Sequence, residues 1–150
     1  MSEASIDELR RSLQAKLGRV LELQNLASVY QQLIEANMVM LSDIVRTRNA
    51  LKELVKSPQK RLSGLINLGS GVFVKGEIVI EEKVLVDVGA EIALPMTLEE
   101  AIEKMNDKER IVRESIENSR RMLLQIQEMM NKLQGEIDQL RRRLEQLEKG

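Results

Sequence analysis

The sequence predicts an α+β protein, mainly α: a long antiparallel coiled-coil hairpin whose two helices are joined by two small β-hairpins. Three observations point there. A seven-residue apolar repeat runs through the first third of the chain and again through the last third. The segment between them alternates apolar and polar residues in short runs broken by glycine. The hydrophobic residues are Leu, Ile, Val and Met, with Tyr30 and Phe73 as the only aromatics, which suits aliphatic helix seams better than a globular core.

Composition narrows the function as well. The length of 150 residues suggests one domain, residues 1–150. Without Cys or His the chain has no disulfide, no thiol nucleophile, none of the usual zinc ligands and no side chain that ordinarily titrates near neutrality. No cofactor and no metal is expected, and an enzyme is not. The net charge of −1 gives no surplus to neutralise phosphates, and two aromatics make no stacking platform, so nucleic acid is not an expected partner. No apolar run is long enough for a membrane, and "MSEASIDELRR" is not a secretory leader, so a cytoplasmic protein is expected.

The first helix is read over residues 5–56. One set of seam positions holds Ile6, Leu13, Val20, Ala27, Ile34, Leu41, Arg48 and Val55; the other holds Leu9, Lys16, Leu23, Tyr30, Asn37, Ile44 and Leu51. Only Lys16, Asn37 and Arg48 break the apolar pattern. Ser5, with Glu8 three residues on, reads as the cap, and Pro58 disfavours helix at Ser57. The second helix is read over 97–149, capped by Thr97 with Glu100 completing the box. Its seam runs from Leu98 through Ile102, Met105, Glu109, Val112, Ile116, Ser119, Leu123, Ile126, Met130, Leu133, Ile137 and Leu140 to Leu144 and Leu147.

If Val55 faces Leu98, antiparallel partners have numbers adding to 153, and the seams end together with Ile6 facing Leu147. That coincidence favours a hairpin within one chain. In this register Asn37 lies a layer from Ser119, and Arg48 lies a layer from Glu109, within reach of an ion pair. Polar groups of this kind commonly set register.

Between the helices, residues 62–95 read as two β-hairpins with strands at 62–67, 72–80, 84–88 and 91–94. The breaks are "GSG" at 69–71, "EEK" at 81–83, and Gly89, with Pro95 as the stop. Val72, Val74, Ile78 and Ile80 share one face, and Val84, Val86 and Val88 share another. Small hairpins with open edges are marginal alone. These seven residues are therefore the expected oligomerisation surface, with strands of several subunits closing an intersubunit β-barrel. "GSGVFVKG" is no phosphate loop, because a strand rather than a helix follows it and Lys75 precedes Gly76.

Helix, two hairpins, helix in this length is the plan of the prefoldin alpha-type subunit. "NLGSGVFVKGEIVIEEKVLVDVGAEIALPMTLEEAIE", about a quarter of the chain, resembles that family, notably in "LGSGVFVKG", "KVLVDVGA" and "TLEEAIE". The chain departs from the family pattern at "LINLG", which lacks a proline, and at "AEIAL", which lacks an aromatic. The resemblance implies a single prefoldin-like domain and an ATP-independent holdase. In that picture two alpha-type and four beta-type subunits join through the strands, helical tips hold non-native proteins, and these pass to a group II chaperonin.

Affinity for non-native chains must then come from apolar area, at roughly 25 cal/mol per Å2. The expected client-binding tip is Ile6, Leu9, Leu13, Leu17, Leu140, Leu144 and Leu147, the seam residues doing so when terminal turns fray. Further apolar residues outside the seam are Leu21, Leu26, Val29, Leu33, Met38, Val39, Met40, Met122, Leu124 and Met129. The run Arg141, Arg142, Arg143 reads as a solvated helix face, with contact to an acidic chaperonin surface as the sharper alternative. The main rival function is structural, a prefoldin-like chain forming homo-oligomers or filaments.

Overall fold

The computed structural model describes residues 3–59, 61–80 and 83–150. Helix α1 spans Glu3–Lys56 and α2 spans Leu98–Lys149; between them lie β1 (Arg61–Gly69), β2 (Val72–Val79), β3 (Val84–Asp87) and β4 (Ala93–Met96). The strands form two separate two-stranded sheets, β1 with β2 and β3 with β4. The class is mainly α with two small antiparallel hairpins, as the repeats require. The chain divides into two compact units, Met1–Asn37 with Glu114–Gly150, and Met38–Arg113.

In the first unit Leu23, Ala27 and Ile126 form a buried cluster against which Tyr30, Leu123, Met130 and Leu133 pack. Leu23 with Met130, Ala27 with Ile126, and Tyr30 with Leu123 are pairs whose numbers add to 153. Rising numbers on α1 meet falling numbers on α2, so the helices are antiparallel here. Ile137 and Leu144 continue the buried seam of α2. The polar exceptions find partners at the rim: Lys16 Nζ lies 2.7 Å from Glu136 Oε2, and Asn37 Nδ2 donates to Ser115 Oγ at 3.0 Å. Asn37 thus bonds Ser115 rather than reaching Ser119, which is itself buried. Ser115 and Glu136 each precede a seam residue of α2, where a polar group meets its partner without displacing an apolar layer. Helix α1 is already formed at Glu3, so Ser5 lies inside it and is not its cap. Glu3 and Ala4 offer the helix no obstacle, alanine being its best former.

In the second unit α1 ends at Lys56, and its final turn buries Leu54 while leaving Val55 exposed. Ser57 Oγ donates to the Arg61 carbonyl (3.0 Å) and accepts from the Arg61 N–H (3.3 Å), tying the helix end to β1. Strands β1 and β2 pair from Arg61↔Val79 to Asn67↔Phe73, with a bulge between Asn67 and Gly69. Ile80 falls just outside β2, and residues 81 and 82 of the "EEK" break lie outside the described residues.

The last hairpin differs from the sequence reading. Strand β3 ends at Asp87, and Gly89, Ala90 and Glu91 all take positive φ (102°, 52° and 60°). The Val88 N–H donates to the Ile92 carbonyl and the Ile92 N–H to the Gly89 carbonyl, each at 3.0 Å. A left-handed Glu91 cannot open a strand, so β4 is Ala93–Met96 rather than 91–94. Pro95 sits inside β4, opposite Leu85, and is not the stop. Strand β4 has one neighbour, so a residue facing its open edge loses no ladder bond by lacking an N–H. Thr97 Oγ1 then accepts the Glu100 N–H at 3.2 Å, and α2 begins at Leu98. Arg48 pairs with Glu109 and also donates to Asn106 Oδ1 at 3.2 Å.

Candidate interaction surfaces

The two sheets treat their apolar residues differently. In β3–β4 the pairs Val84↔Met96 and Val86↔Leu94 share a face, as directly opposed residues do. Val86 is 8% exposed and Val84 half-buried. Both line a cavity of about 280 Å3 with Ile44 and Leu51 of α1 and Ala101 and Met105 of α2. Lys108 Nζ donates to the Asp87 carbonyl at 3.3 Å, fastening the strand end to α2. Val84 and Val86 are therefore covered by their own chain, which corrects the expectation of an open face at these positions. A four-residue strand beside two helices buries its inward residues against them first. Val88 falls past the strand end and is exposed.

In β1–β2, by contrast, Val72, Val74 and Ile78 are exposed, and Ile80, beyond the strand, is half-buried. Two further residues share the face of Val74 and Ile78. Leu62 opposes Ile78, Ile66 opposes Val74, and the Gly64↔Gly76 pair lies between them. A Cβ on Gly76 would stand 2.8 Å from Ile66 Cδ1, so the isoleucine lies across that glycine. The period-two signal at residues 62, 64 and 66 was present in the sequence but interrupted by glycine.

At the open end of the helices the predicted tip is closed more than displayed. Leu144 is buried; Ile6, Leu9, Leu13, Leu140 and Leu147 are half-buried, and only Leu17 reaches the surface. Arg10 Nη2 pairs with Glu148 Oε1 at 2.8 Å beside this layer, and the hydrogen bond it donates to that carboxylate raises the guanidinium pKa. Lys16 holds Glu136 below the usual carboxylate range, chiefly through its hydrogen bond. In the second unit Glu109 is likewise held down, first by the hydrogen bond from Arg113 and then by the Arg48 charge. Arg141, Arg142 and Arg143 are all exposed, and Arg143 lines a shallow depression with Lys16, Glu136, Gln139 and Leu140.

The surface apolar residues lie elsewhere. In the first unit Leu21, Leu26, Val29, Leu33, Leu124 and Met129 are exposed, while Met122 is half-buried. In the second unit Met38, Val39 and Met40 are exposed in succession, with Ile111, which sequence reasoning missed. A helix apolar on its outer side as well as on its seam is one that expects a further covering surface. Among the described residues no helix is long and apolar enough to cross a membrane, and no group of three or more acidic side chains could hold a metal ion.

The model of a family described as Prefoldin subunit matches residues 22–149. The chain is 33% identical over 139 residues to the prefoldin subunit alpha of Methanococcoides burtonii, covering 91% of this chain and 96% of that one. It is 28% identical over 101 residues to the Protein UXT homolog of Dictyostelium discoideum, covering 67% of this chain and 63% of the relative, less than two thirds of that relative's length. Among solved structures, a filamentous PFD from Methanocaldococcus jannaschii matches with a TM-score of 0.44 at 20% identity, covering 89% of this chain and 96% of that one.

Proposed function

The chain belongs to the prefoldin family, as an alpha-type subunit, and from that premise we propose that it is an ATP-independent holdase. It joins beta-type subunits through its strands, two alpha to four beta. It binds non-native proteins on its helical hairpin in the cytoplasm and passes them to a group II chaperonin. One observation carries the reading: the first unit keeps Leu21, Leu26, Val29, Leu33, Leu124 and Met129 exposed on helices whose seam is already filled. Apolar area left over after folding is what a holdase uses, at roughly 25 cal/mol per Å2 covered.

The exposed ribbon face of Leu62, Ile66, Val74 and Ile78 supports the assembly half of the proposal, since an isolated two-stranded ribbon is marginal until more strands join it. The same open ribbon would serve identical chains, which is the structural reading of homo-oligomers or filaments. Native mass measurement with and without a beta-type subunit separates the two: a discrete hetero-hexamer supports the holdase, whereas filaments of this chain alone support the rival. Val74→Asp should abolish either assembly.

Suppression of client aggregation by the assembled protein tests the holding activity itself. Replacing Leu9, Leu144 and Leu147 by Ser should weaken it while assembly persists, and full suppression by that variant would remove the tip from the mechanism. Chaperonin capture that falls steeply with salt, and is lost when Arg141, Arg142 and Arg143 become Glu, would assign that run to the delivery contact.

A further inference from the structure

Two flanks run along the hairpin of the first unit, one on each side of the seam, and they differ sharply. Residues immediately before the first-set seam positions of α1 are Leu26 and Leu33, preceding Ala27 and Ile34. The corresponding residues of α2 are Met122 and Met129, preceding Leu123 and Met130. In an antiparallel pair these positions share one flank, and the register brings Leu26 beside Met129 and Leu33 beside Met122. Val29 lies next to Leu26 and Leu33 on the same side of α1. The opposite flank carries Gln24, Gln31, Arg120 and Gln127, all exposed. Beside the seam one flank is therefore apolar and the other polar, with Leu21 and Leu124 exposed farther out on the polar side.

The apolar flank is bounded at both ends. Toward the tip the Lys16–Glu136 ion pair closes it, and at the other end the Asn37–Ser115 hydrogen bond does. Between Leu23 and Ile34, α1 carries no charge at all.

We propose that this flank is a docking groove for one short amphipathic helix of a non-native protein, about three turns long and uncharged on its contact face. The proposal rests on the holdase reading above and names the conformation of the segment it takes. Three considerations select this occupant. The first is area: Leu26, Val29, Leu33 and Met129 are 41%, 56%, 43% and 41% exposed. Together they offer on the order of 300 Å2, a patch typical of an interaction site but well short of the ~800 Å2 per partner of a stable dimer. A second folded copy of this chain is therefore a poor occupant, and a short segment is a good one.

The second consideration is charge. An ionised group pressed onto Leu, Val and Met would be desolvated without a partner, so the contact face must be uncharged. The third is the backbone. Both helices satisfy their own N–H and C=O groups, and the groove side chains have neither donors nor strong acceptors. An extended segment laid there would leave buried peptide groups unpaired, whereas a helix brings its hydrogen bonds with it. Two antiparallel helices also present the ridges and groove into which a third packs, and flexible Met122 and Met129 adapt the fit to different sequences.

The test uses two labelled peptides of identical composition, about 14 residues each. In one, Leu recurs at helical spacing between Lys and Glu; in the other the same residues alternate in strand fashion. Binding by fluorescence anisotropy to the full chain in its native assembly should favour the helical peptide by at least tenfold. Leu33→Gln combined with Met129→Gln should weaken that binding tenfold or more, while Gln127→Ala, on the opposite flank, should change it less than twofold. Unfolding midpoints of all variants check that the hairpin is intact. Equal binding of both peptides, weakened equally by the double variant, would overturn helix selection and leave the groove and the holdase. Helical-peptide binding untouched by the double variant would overturn the groove. A concentration-dependent dimer of hairpins, lost in the double variant, would give the flank to a second copy and overturn the proposal. Failure of the wild type to suppress client aggregation refutes the holdase instead, and the peptide ratio then reads the groove by itself.

Discussion

Ile126 is fully buried among Leu23 and Ala27, with Tyr30, Leu123, Met130 and Leu133 packed around that cluster. Ile126→Ala removes three carbon atoms from the seam. At ~0.8 kcal/mol per buried carbon the lost transfer energy is about 2.4 kcal/mol. The void adds about 1 kcal/mol at ~24 cal/mol per Å3, if the layer closes roughly half of it. Across the seam stands Ala27, which is too small to fill the space, whereas flexible Met130 can move part of the way in. The expected loss is therefore about 3 kcal/mol. Leu124 lies two residues away and is 60% exposed, so Leu124→Ala should change stability by no more than about 0.5 kcal/mol. Urea unfolding followed by circular dichroism at 222 nm measures both. If Ile126→Ala cost less than about 1 kcal/mol, or no more than Leu124→Ala, the seam would not be what holds the first unit together.

Acid should destabilise the chain at a defined place. Glu109 and Glu136 have folded pKa values below their unfolded ones, the first mainly through Arg113 and the second mainly through Lys16. Their contribution is present above the unfolded value, ~4.3, and is lost as pH falls through the folded values. Midpoints should be flat from about pH 7 to 5 and fall below about pH 4.3, and Glu136→Gln should flatten that fall; an unaltered slope would count against the Lys16 pair. The β3–β4 turn gives a pair of opposite signs. Gly89→Ala places a side chain at φ 102° and should cost about 1–2 kcal/mol, while Ala90→Gly relieves φ 52° and should be neutral or stabilising by up to about 1 kcal/mol. Equal signs in thermal melts would refute the assignment of strain. Thr97→Ala removes the acceptor for the Glu100 N–H and should cost about 1 kcal/mol, rescued by Thr97→Ser.

The helices were legible because their signals are local and repeated. A heptad error at Lys16 or Arg48 is outvoted by its neighbours, Thr97 marks a start by chemistry alone, and Pro58 marks a stop by sterics. The register was legible too, since two seams of matched length can end together in only one way, and Arg48 does meet Glu109. Polar partners within a layer were harder. Asn37 could not be assigned to Ser115 rather than Ser119 from numbers alone, because a one-turn choice on α2 depends on side-chain reach. The exposed residues of the candidate surface, Leu26 to Met129, were identifiable as apolar positions outside the repeat, but their gathering on one flank depends on both helices at once.

By itself the sequence determined that two long helices flank two small hairpins, most of the residues that fill the helical seam, and where α2 begins, whereas at the hairpin end Leu54 and Ala101 are buried in place of the expected Val55. These follow from periodicity, capping and the covalent limits of proline, all of which act over a few residues. Only the tertiary structure decided that β4 runs through Pro95, that Val84 and Val86 face the chain's own helices while Val74 and Ile78 stay open, and that the tip leucines are packed rather than displayed. A strand's alternation shows that it has two faces. Which face is covered depends on what lies beside it, and for β3 that is set by Leu51, Ala101 and Met105, residues brought near from both helices.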